Sequence, residues 1–368
     1  EILRYAESCN ALKIAMDIPS GGNGQTGIAC DDTLRCDYTV TFGLEKIGTA
    51  IYPLSEYCGE VIVCDIGIPD SCINSMERLI RRVDMDFVKE HIPVRPKNSH
   101  KGTFGKVLNI AGCKNMTGAA ALSTSAALRS GAGLVKTASV DRVIKTLSSS
   151  IFESVYLNLK AAEDGSISAD NADILINEMN KSTVCALGCG LSVTENTKKL
   201  VKELVIHAEV PLIIDADGIN CLAPCIDIIR NAKGKAAVTP HPAELARIMD
   251  MPLSEVLADR LGTAMRFCGL YETVILAKGT PTFIISSDAA YVSFTGNPGL
   301  SRGGSGDVLT GICAGLAAMG LPLAEALACA AYIHGYAADK TAEELSQTGM
   351  LPSDVIHRLP FVFKEMDR

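Results

Sequence analysis

The chain has 368 residues, of which 48% are hydrophobic and 21% are charged, so it is long enough for two or three domains with sizeable cores. Its formal net charge of −8 argues against a general nucleic-acid binder and against a protein that binds anionic membranes. We therefore expect small-molecule ligands, with neither nucleic acid nor membrane as a partner. We also expect a homo-oligomer.

Fourteen cysteines are spread along the chain, and most lie in apolar runs, for example Cys64, Cys185, Cys268, Cys313 and Cys329. Buried free thiols in a reducing cytosol fit this pattern better than disulfides, and no signal-peptide pattern is present. We therefore expect a cytoplasmic protein. The cysteine pairs 185/189 and 221/225 lack zinc-knuckle spacing and a histidine cluster, so we predict no metal site there.

Residues 1–75 have the pattern of a short α/β segment. The sequence predicts a helix over residues 1–12 and strands over 13–17, 38–42 and 60–66, which are rich in β-branched residues. Three strands and one helix are too few for an independent domain. We therefore interpret the segment as the last part of a larger sheet, followed by a polar linker over residues 76–94.

From residue 106 onward, predicted strands and helices alternate. The strands are predicted at 107–111, 134–139, 183–187, 211–215, 236–239 and 273–277. Near-continuous apolar strands separated by helices predict a mainly parallel sheet that is covered on both faces. Residues 282–285 and 290–293 flank a turn and predict a hairpin at one edge of this sheet.

A glycine-rich run over residues 297–307 precedes an apolar helical stretch, 308–316. Four glycines in eleven residues allow the backbone to approach a ligand closely, and amides at the start of a helix form a site for phosphate. Asp307 stands at the helix start, where it could face the same ligand or act only as a helix cap.

Polar residues also follow the carboxyl ends of several predicted strands, where ligands bind in open α/β sheets. Asn109 lies near the carboxyl end of the first of these strands, and Lys278 follows a later one, at a position that suits a phosphate contact. His241 lies between two prolines on a stiff turn. Asp215 and Asp217 could cap a helix, coordinate Mg²⁺ or orient loops, and their spacing leaves all three open. Together these residues predict a cleft with a glycine-lined floor.

An ordered set of motifs resembles the NAD(P)H-hydrate dehydratase family of the ribokinase-like superfamily. The motifs are HKGTFGKVL (100–108), MTGAA (116–120), RSGAGLV (129–135), DAD (215–217), TPHPAE (239–244), AKG (277–279) and NPGLSRGGSGDVL (297–309). The resemblance covers about residues 95–362. Two departures keep a glycine-rich backbone: GCGLS at 188–192 stands where the family has GPGLG, and Ser305 stands where it has threonine.

The resemblance implies a ribokinase-like three-layer α/β sandwich over residues 95–368. It also implies the repair of NADH and NADPH that have been hydrated at C6 of the nicotinamide ring. In this reaction the S-epimer is dehydrated with the help of Mg²⁺ and ADP or ATP. When ADP is used, it is converted to AMP and phosphate. Asp307 would contact the substrate and act as general base. Ala119, Gly190 and His241 would also bind the hydrated cofactor. The implied nucleotide-binding residues are Lys278, Gly279, Thr280, Pro281, Thr282, Asn297, Gly303, Gly304, Ser305 and Gly306.

Residues 13–69 resemble the end of the NAD(P)H-hydrate epimerase domain, which implies part of a Rossmann-like α/β domain over residues 1–75. The motifs are DIPSG (17–21), TVTFG (39–43) with Lys46, and DIGIP (65–69). By this resemblance Asp17 contacts substrate and Ser20 helps to bind K⁺. The family's earlier NNGGDG loop is absent and the chain begins at Glu1, so we expect a truncated domain without epimerase activity.

Two alternatives differ from this interpretation. A small-molecule kinase of the same superfamily, acting on a vitamin precursor such as hydroxyethylthiazole, would share the glycine loop and Asp307. The TPHPAE segment and the KGTFG opening favour the dehydratase. A non-catalytic nucleotide-sensing module would gain nothing from a carboxylate beside phosphates, so an intact Asp307 argues against it.

Overall fold

The computed structural model of the protein describes residues 1–76, 79–232 and 236–367. The chain divides into two compact units. One comprises residues 1–81 together with Leu257–Asp259, and the other comprises Arg82–Val256 and Arg260–Arg368.

The N-terminal unit contains a three-stranded parallel sheet with the strand order β1-β2-β3. Its elements are α1 (Ile2–Ser8), β1 (Ile14–Met16), β2 (Tyr38–Phe42), α2 (Ile47–Ala50), β3 (Glu60–Cys64) and α3 (Asp70–Asn74). The three predicted strands are confirmed. The predicted helix over 1–12 is too long, because α1 ends at Ser8. None of the residues of α1 is buried, so no packing contact stabilises further turns. Cys64 is exposed, whereas the apolar run around it predicted burial.

The remaining elements begin with a strand at Ile80, and from Lys106 onward strands and helices alternate mainly as predicted. They are β4 (Ile80–Arg82), α4 (Met85–His91), β5 (Lys106–Ile110), α5 (Thr117–Arg129), β6 (Leu134–Val140), α6 (Asp141–Ser148), β7 (Val155–Leu159), α7 (Ala172–Met179), β8 (Val184–Leu187), α8 (Glu195–Ile206), β9 (Leu212–Ile214), α9 (Asp217–Leu222), β10 (Ala236–Val238), α10 (Pro242–Ile248), α11 (Leu253–Ala258), α12 (Arg260–Tyr271), β11 (Val274–Ala277), β12 (Thr282–Ile285), β13 (Ala290–Ser293), α13 (Ser305–Ala318), α14 (Leu323–Leu345) and α15 (Pro352–Met366).

These strands form a ten-stranded sheet in the order β4-β13-β12-β11-β10-β9-β8-β5-β6-β7. All pairs from β11 to β7 are parallel, so the predicted mainly parallel sheet is confirmed. The β12–β13 hairpin has the predicted bounds, but β4 lies outside it, so the prediction that the hairpin forms an edge was wrong. Both edge strands were missed, because β4 is only three residues long and β7 is largely exposed or half-buried.

Part of the segment predicted as a linker, residues 76–94, is helical. Glu77 and Arg78 lie outside the described residues. Asp84 caps α4 by accepting a hydrogen bond from the Phe87 amide at 2.8 Å. Val88 on this helix is completely buried in the main hydrophobic core. Burial of one apolar side chain against that core explains why a polar stretch forms a helix here.

Helix α13 packs on α5 at backbone distance, which fixes the glycine loop at the carboxyl edge of the sheet. A Cβ atom at Gly311 would lie 2.3 Å from the Ser123 carbonyl oxygen, and one at Gly315 would lie 2.6 Å from Ser130 Cβ. Small residues on both helices are therefore required for this close approach. In the part of the chain that the structure describes, no helix combines the length and apolar character needed to cross a membrane.

Candidate active site

The glycine loop wraps the N-terminus of α13. Gly304 has a φ of 100°, and a Cβ atom there would lie 2.6 Å from Leu122 Cδ1, so only glycine fits. Gly303 is exposed with open space around it, and a Cβ atom at Gly306 would lie 3.2 Å from Lys278 Nζ. Ser305 is buried, and its Oγ has no hydrogen-bond partner among the described residues. The loop therefore brings backbone amides and an ammonium group to one place.

Asp215 links this loop to three strands of the sheet. The carboxylate is buried, and its Oδ1 accepts hydrogen bonds from Lys278 Nζ at 2.5 Å and Thr239 Oγ1 at 2.7 Å. Its Oδ2 accepts a bond from Thr310 Oγ1 on α13 at 2.7 Å. Of the three roles left open by the sequence, this arrangement supports orientation of the surrounding groups, because the bonds join the ends of β9, β10 and β11 to α13.

The loop after β8 is shaped by close backbone contacts. Asp217 accepts a hydrogen bond from the Ser192 amide at 2.8 Å, which orients the loop. Gly188 has a φ of 135°, and a Cβ atom there would lie 1.9 Å from the Asp215 carbonyl oxygen. Gly190 has a φ of 66°, and its Cβ would lie 2.7 Å from Ala119 Cβ. Gly190 and Ala119, both predicted to bind substrate, are thus neighbours.

Asp307 lies in the first turn of α13, at the position that the sequence predicted. Burial, and next the negative charge of Asp215, raise the pKa of its carboxyl to about 6, while Cys189 and Lys278 act in the opposite direction. The same surroundings keep the Cys189 thiol protonated, since burial and the charge of Asp307 raise its pKa well above the ordinary value. A carboxylate with a pKa near 6 is ionised at neutral pH and still basic enough to accept a proton.

Lys278 stays cationic although it is buried. Burial alone would lower its pKa, but the carboxylates of Asp215 and Glu244 together raise it. Burial raises the pKa of Glu244, which the charge of Lys278 partly offsets. The sequence marked Glu244 only as part of a motif, and its burial next to a lysine could not be read from that motif.

His241 caps α10 with its own ring. Its Nδ1 accepts hydrogen bonds from the amides of Ala243 at 3.2 Å and Glu244 at 3.4 Å, while its own amide donates to Glu244 Oε2 at 3.0 Å. Since Nδ1 accepts, we assign the ring proton to Nε2, which lies 3.4 Å from Glu244 Oε1. About half of the side chain is exposed, so the fixed ring keeps a face open to a ligand.

Arg260 on α12 holds the segment Lys278–Thr282. Its guanidinium donates to the carbonyl oxygens of Pro281 at 2.9 Å and Thr280 at 2.7 Å. Gly279 has a φ of 148°, and a Cβ atom there would lie 1.9 Å from Arg260 Nη1, so glycine is required. Sequence reasoning missed Arg260, because a single arginine in a helix carries no local signal of this role.

Asn297 is held by Asp339, which lies on α14. Asn297 Nδ2 and the Gly296 amide each donate a hydrogen bond of 2.9 Å to the Asp339 carboxylate. Asn297 Oδ1 accepts a bond from the Gly299 amide at 2.9 Å. The side chain of Asn297 therefore fixes the start of the glycine loop, which is a structural role that the sequence did not predict.

Asn109 does not belong to the cleft, which corrects the expectation from the sequence. It is buried and donates hydrogen bonds to Ser123 Oγ at 2.8 Å and Thr124 Oγ1 at 3.0 Å, so it joins β5 to α5. From the sequence alone, a polar residue near a strand end that forms hydrogen bonds with a helix cannot be distinguished from one that faces a ligand.

The N-terminal unit holds a second polar cluster around Asp17. This residue has a φ of 71° and accepts hydrogen bonds from Lys46 Nζ at 2.5 Å, the Phe42 amide at 3.1 Å and Thr41 Oγ1 at 3.2 Å. The hydrogen bond from Lys46 lowers the pKa of the carboxyl. Ser20 is exposed on the following turn, where its carbonyl oxygen accepts the Leu34 amide at 3.1 Å.

Comparison with known proteins identifies two families along the chain. The NAD(P)H-hydrate dehydratase family matches residues 107–360, and the family described as the YjeF-related protein N-terminus matches residues 1–48. A bifunctional NAD(P)H-hydrate repair enzyme of Moorella thermoacetica is 37% identical over 368 residues, which cover 100% of this chain and 69% of that protein.

Solved structures give the same result for the large unit. The ADP/ATP-dependent NAD(P)H-hydrate dehydratase of Bacillus subtilis, co-crystallised with ATP and Mg²⁺, aligns with a TM-score of 0.66 and 28% identity over 78% of this chain and 99% of that chain. A hydroxyethylthiazole kinase of Pyrococcus horikoshii aligns with a TM-score of 0.51 and 13% identity over 77% of this chain and 93% of that chain, so it shares the fold alone. The fold is ribokinase-like, and the chain belongs to the NAD(P)H-hydrate dehydratase family.

Proposed function

We propose that this protein restores NADH and NADPH that have been hydrated at C6 of the nicotinamide ring, by a dehydration of the S-epimer that consumes ADP and yields AMP and phosphate. The observation that carries the proposal is Asp307, whose pKa is raised to about 6 in the first turn of the helix that Lys278 approaches. ATP is the alternative nucleotide, since the relative from Bacillus subtilis is described as ADP/ATP-dependent.

In this reaction Asp307 accepts the proton of the 6-hydroxyl group. The alkoxide oxygen then forms a bond to the terminal phosphorus of the nucleotide, while the bond from that phosphorus to the bridging oxygen breaks. The lone pair of the ring nitrogen expels phosphate from C6, and loss of a proton from C5 restores the double bond. The hydroxyl oxygen leaves in phosphate, so a kinase-like site can catalyse a dehydration.

The charge that develops on the transferring phosphoryl group needs donors that are already oriented. We assign this role to the amides of Gly303–Gly306 and to Lys278. Asp215 supports the assignment, because its bonds to Lys278 and Thr310 hold the ammonium and the first turn of α13 in fixed positions. Gly279–Thr282 and Asn297 are proposed to line the rest of the nucleotide site. Ala119, Gly190 and His241 are proposed to bind the hydrated cofactor.

Mg²⁺ fits this site only as a complex with the nucleotide. Among residues 1–76, 79–232 and 236–367, no cluster of three His, Cys, Asp or Glu side chains could hold a metal ion. Mg²⁺ is usually bound by substrate phosphates, water and one or two carboxylates. The carboxylates of Asp215 and Asp217 already accept the hydrogen bonds described above. We therefore propose that the phosphates supply most of its ligands and that the ion screens their charge.

For the rest of the chain we propose an epimerase-like segment over residues 1–75, a connection over 76–94 and the dehydratase domain over 95–368. In the first segment Asp17 would contact substrate and Ser20 would help to bind K⁺. Support comes from the lysine-held carboxylate at a strand end and the exposed serine beside it. Replacement of Na⁺ by K⁺ should raise the thermal stability of the native chain, and Ser20→Ala should abolish that increase.

The test of the dehydratase proposal is recovery of the near-ultraviolet absorbance of reduced nicotinamide. Hydrated NADH or NADPH is incubated with the protein and ADP or ATP, and AMP and phosphate are quantified. We expect one phosphate for each nicotinamide restored. A small-molecule kinase would give a phosphorylated alcohol without recovery, and nucleotide binding without turnover would favour the sensing module.

A further inference from the structure

One guanidinium group holds most of the turn between β11 and β12. Arg260 Nη2 donates a hydrogen bond to the Thr280 carbonyl oxygen at 2.7 Å, and Nη1 donates to that of Pro281 at 2.9 Å. Nη1 also donates to the Lys278 carbonyl oxygen at a longer distance of 3.4 Å. Arg260 Cζ lies 5.5 Å from the centre of the buried Phe283 ring. These bonds require a planar group with several donors in fixed directions, which arginine has and lysine lacks.

The same bonds determine which backbone groups of the turn stay free. The remaining carbonyl oxygen, that of Gly279, accepts the Thr282 hydroxyl at 2.9 Å, so side chains bind every carbonyl group of residues 278–281. The amides of Gly279 and Thr280 have no acceptor among the residues that the structure describes, and both residues are exposed. In a trans peptide the N–H group points away from the preceding carbonyl oxygen. The two amides therefore point away from the side chains that bind those oxygens.

The residue before these amides indicates the kind of ligand that suits them. Lys278 precedes them directly, and its Nζ would lie 3.2 Å from a Cβ atom at Gly306 in the glycine loop. Free N–H groups beside an ammonium group form a site for the oxygen of an anion. A carbonyl oxygen on the same side would repel that anion. The turn can therefore bind phosphate only while its carbonyl oxygens are held on the other side.

We propose that Arg260 is a positioning residue for the nucleotide, because its bonds to the carbonyl oxygens of the turn direct the amides of Gly279 and Thr280 to the phosphate groups. The inference rests on the proposed function, in which the nucleotide lies along Lys278 and the segment 279–282. It adds a residue that acts without touching the ligand. It also assigns phosphate binding in this segment to the backbone rather than to the side chains.

The main test is Arg260→Lys, which keeps the positive charge but cannot bind three carbonyl oxygens with a planar group. Arg266→Lys, at an exposed position of the same helix, is the matched control. Calorimetry measures binding of ADP and, separately, of inorganic pyrophosphate to the full chain. We expect Arg260→Lys to weaken both about tenfold, equivalent to one or two lost hydrogen bonds, and Arg266→Lys to leave both unchanged.

Kinetics separate this role from a general loss of structure. In Arg260→Lys the KM for ADP should rise about tenfold, whereas the KM for hydrated NADH should stay constant, because Arg260 binds only the turn proposed for the nucleotide. Hydrogen exchange in the native chain tests the amides without a substitution. Saturating pyrophosphate should slow exchange at Gly279 and Thr280, since each amide would donate to a phosphate oxygen.

Four results would overturn the inference: native ADP affinity in Arg260→Lys, a loss of ADP affinity without a loss for pyrophosphate, equal rises in the two KM values, or unchanged exchange of both amides with pyrophosphate bound. If Arg260→Lys does not fold, exchange in the native chain decides. The proposed function fails separately, because in that case the native protein itself would neither bind ADP nor restore hydrated NADH.

Discussion

Each unit of the protein carries a lysine–carboxylate pair beside a strand end, and the two pairs differ in burial more than in geometry. Lys46–Asp17 and Lys278–Asp215 both have an Nζ–O distance of 2.5 Å. The side chains of the first pair are 31% and 38% exposed, whereas those of the second are 19% and 1% exposed. Water competes for the first pair and is excluded from the second, so equal distances do not mean equal energies.

The difference in burial also accompanies opposite pKa shifts of an aspartate in each unit. Asp17 is paired with Lys46, and the hydrogen bond from this lysine lowers the pKa of its carboxyl. Asp307 is half-buried near the negative charge of Asp215, and desolvation together with this charge raises its pKa to about 6. The pKa of the same residue type is therefore lowered in one unit and raised in the other, because solvent access and neighbouring charge differ.

The largest expected effect is on catalysis. Asp307→Asn keeps the shape of the side chain but removes the base, so turnover of hydrated NADH should fall by about 10²- to 10⁴-fold. Calorimetry should show ADP affinity within a few fold of the native value. Asp288→Asn, at an exposed turn, serves as the control. A near-native rate in Asp307→Asn would disprove the assignment of the base.

The second prediction compares the two pairs directly by the same substitution. Lys278→Met leaves a buried carboxylate without its cation and should cost about 3 kcal/mol of unfolding free energy. Lys46→Met should cost less than about 1 kcal/mol, since water can replace the lysine. Urea unfolding followed by hydrogen exchange reports each unit separately. Equal losses in the two variants would mean that burial is not the deciding difference.

The smallest expected effect is a shift in the pH dependence of activity and stability. Since Asp307 must be ionised to accept a proton, kcat/KM should reach half of its maximum near the pKa of about 6, level off well above it and fall tenfold per unit well below it. The raised pKa also means that the folded state binds this proton more tightly than the unfolded chain. The stability of Asp307→Asn relative to the native protein should therefore increase from pH 4 to pH 6. An acid limb near pH 4 would instead indicate an ordinary aspartate.

Local sequence patterns predicted those features of the structure whose physical cause lies within a few residues. Alternating apolar strands and helices predicted the parallel sheet, and the run of four glycines predicted a tight loop at the start of α13. The strand-end position of Lys278 predicted its place at the carboxyl edge. Asn109 was misassigned, because whether a strand-end amide faces a ligand or a helix depends on residues far along the chain.

Contacts between residues far apart in the chain could not be predicted from the sequence for the same reason. Arg260 binds the carbonyl groups of residues about twenty positions later, and Asp339 binds Asn297 across 42 positions. Neither residue stands in a motif whose spacing indicates such a contact.

The sequence by itself determined the alternation of the central strands with helices, the glycine loop and the residue types at the edge of the sheet, because each depends on neighbours within a few positions. Only the tertiary structure decided which of those residues meet and how deeply they are buried. Burial raises the free energy of an ionised side chain. Neighbouring groups determine whether an oppositely charged partner offsets this cost or the pKa of the side chain shifts. At that level the pKa of Asp307 is raised to about 6, and the Asp215 carboxylate is fixed by its bond from Thr310.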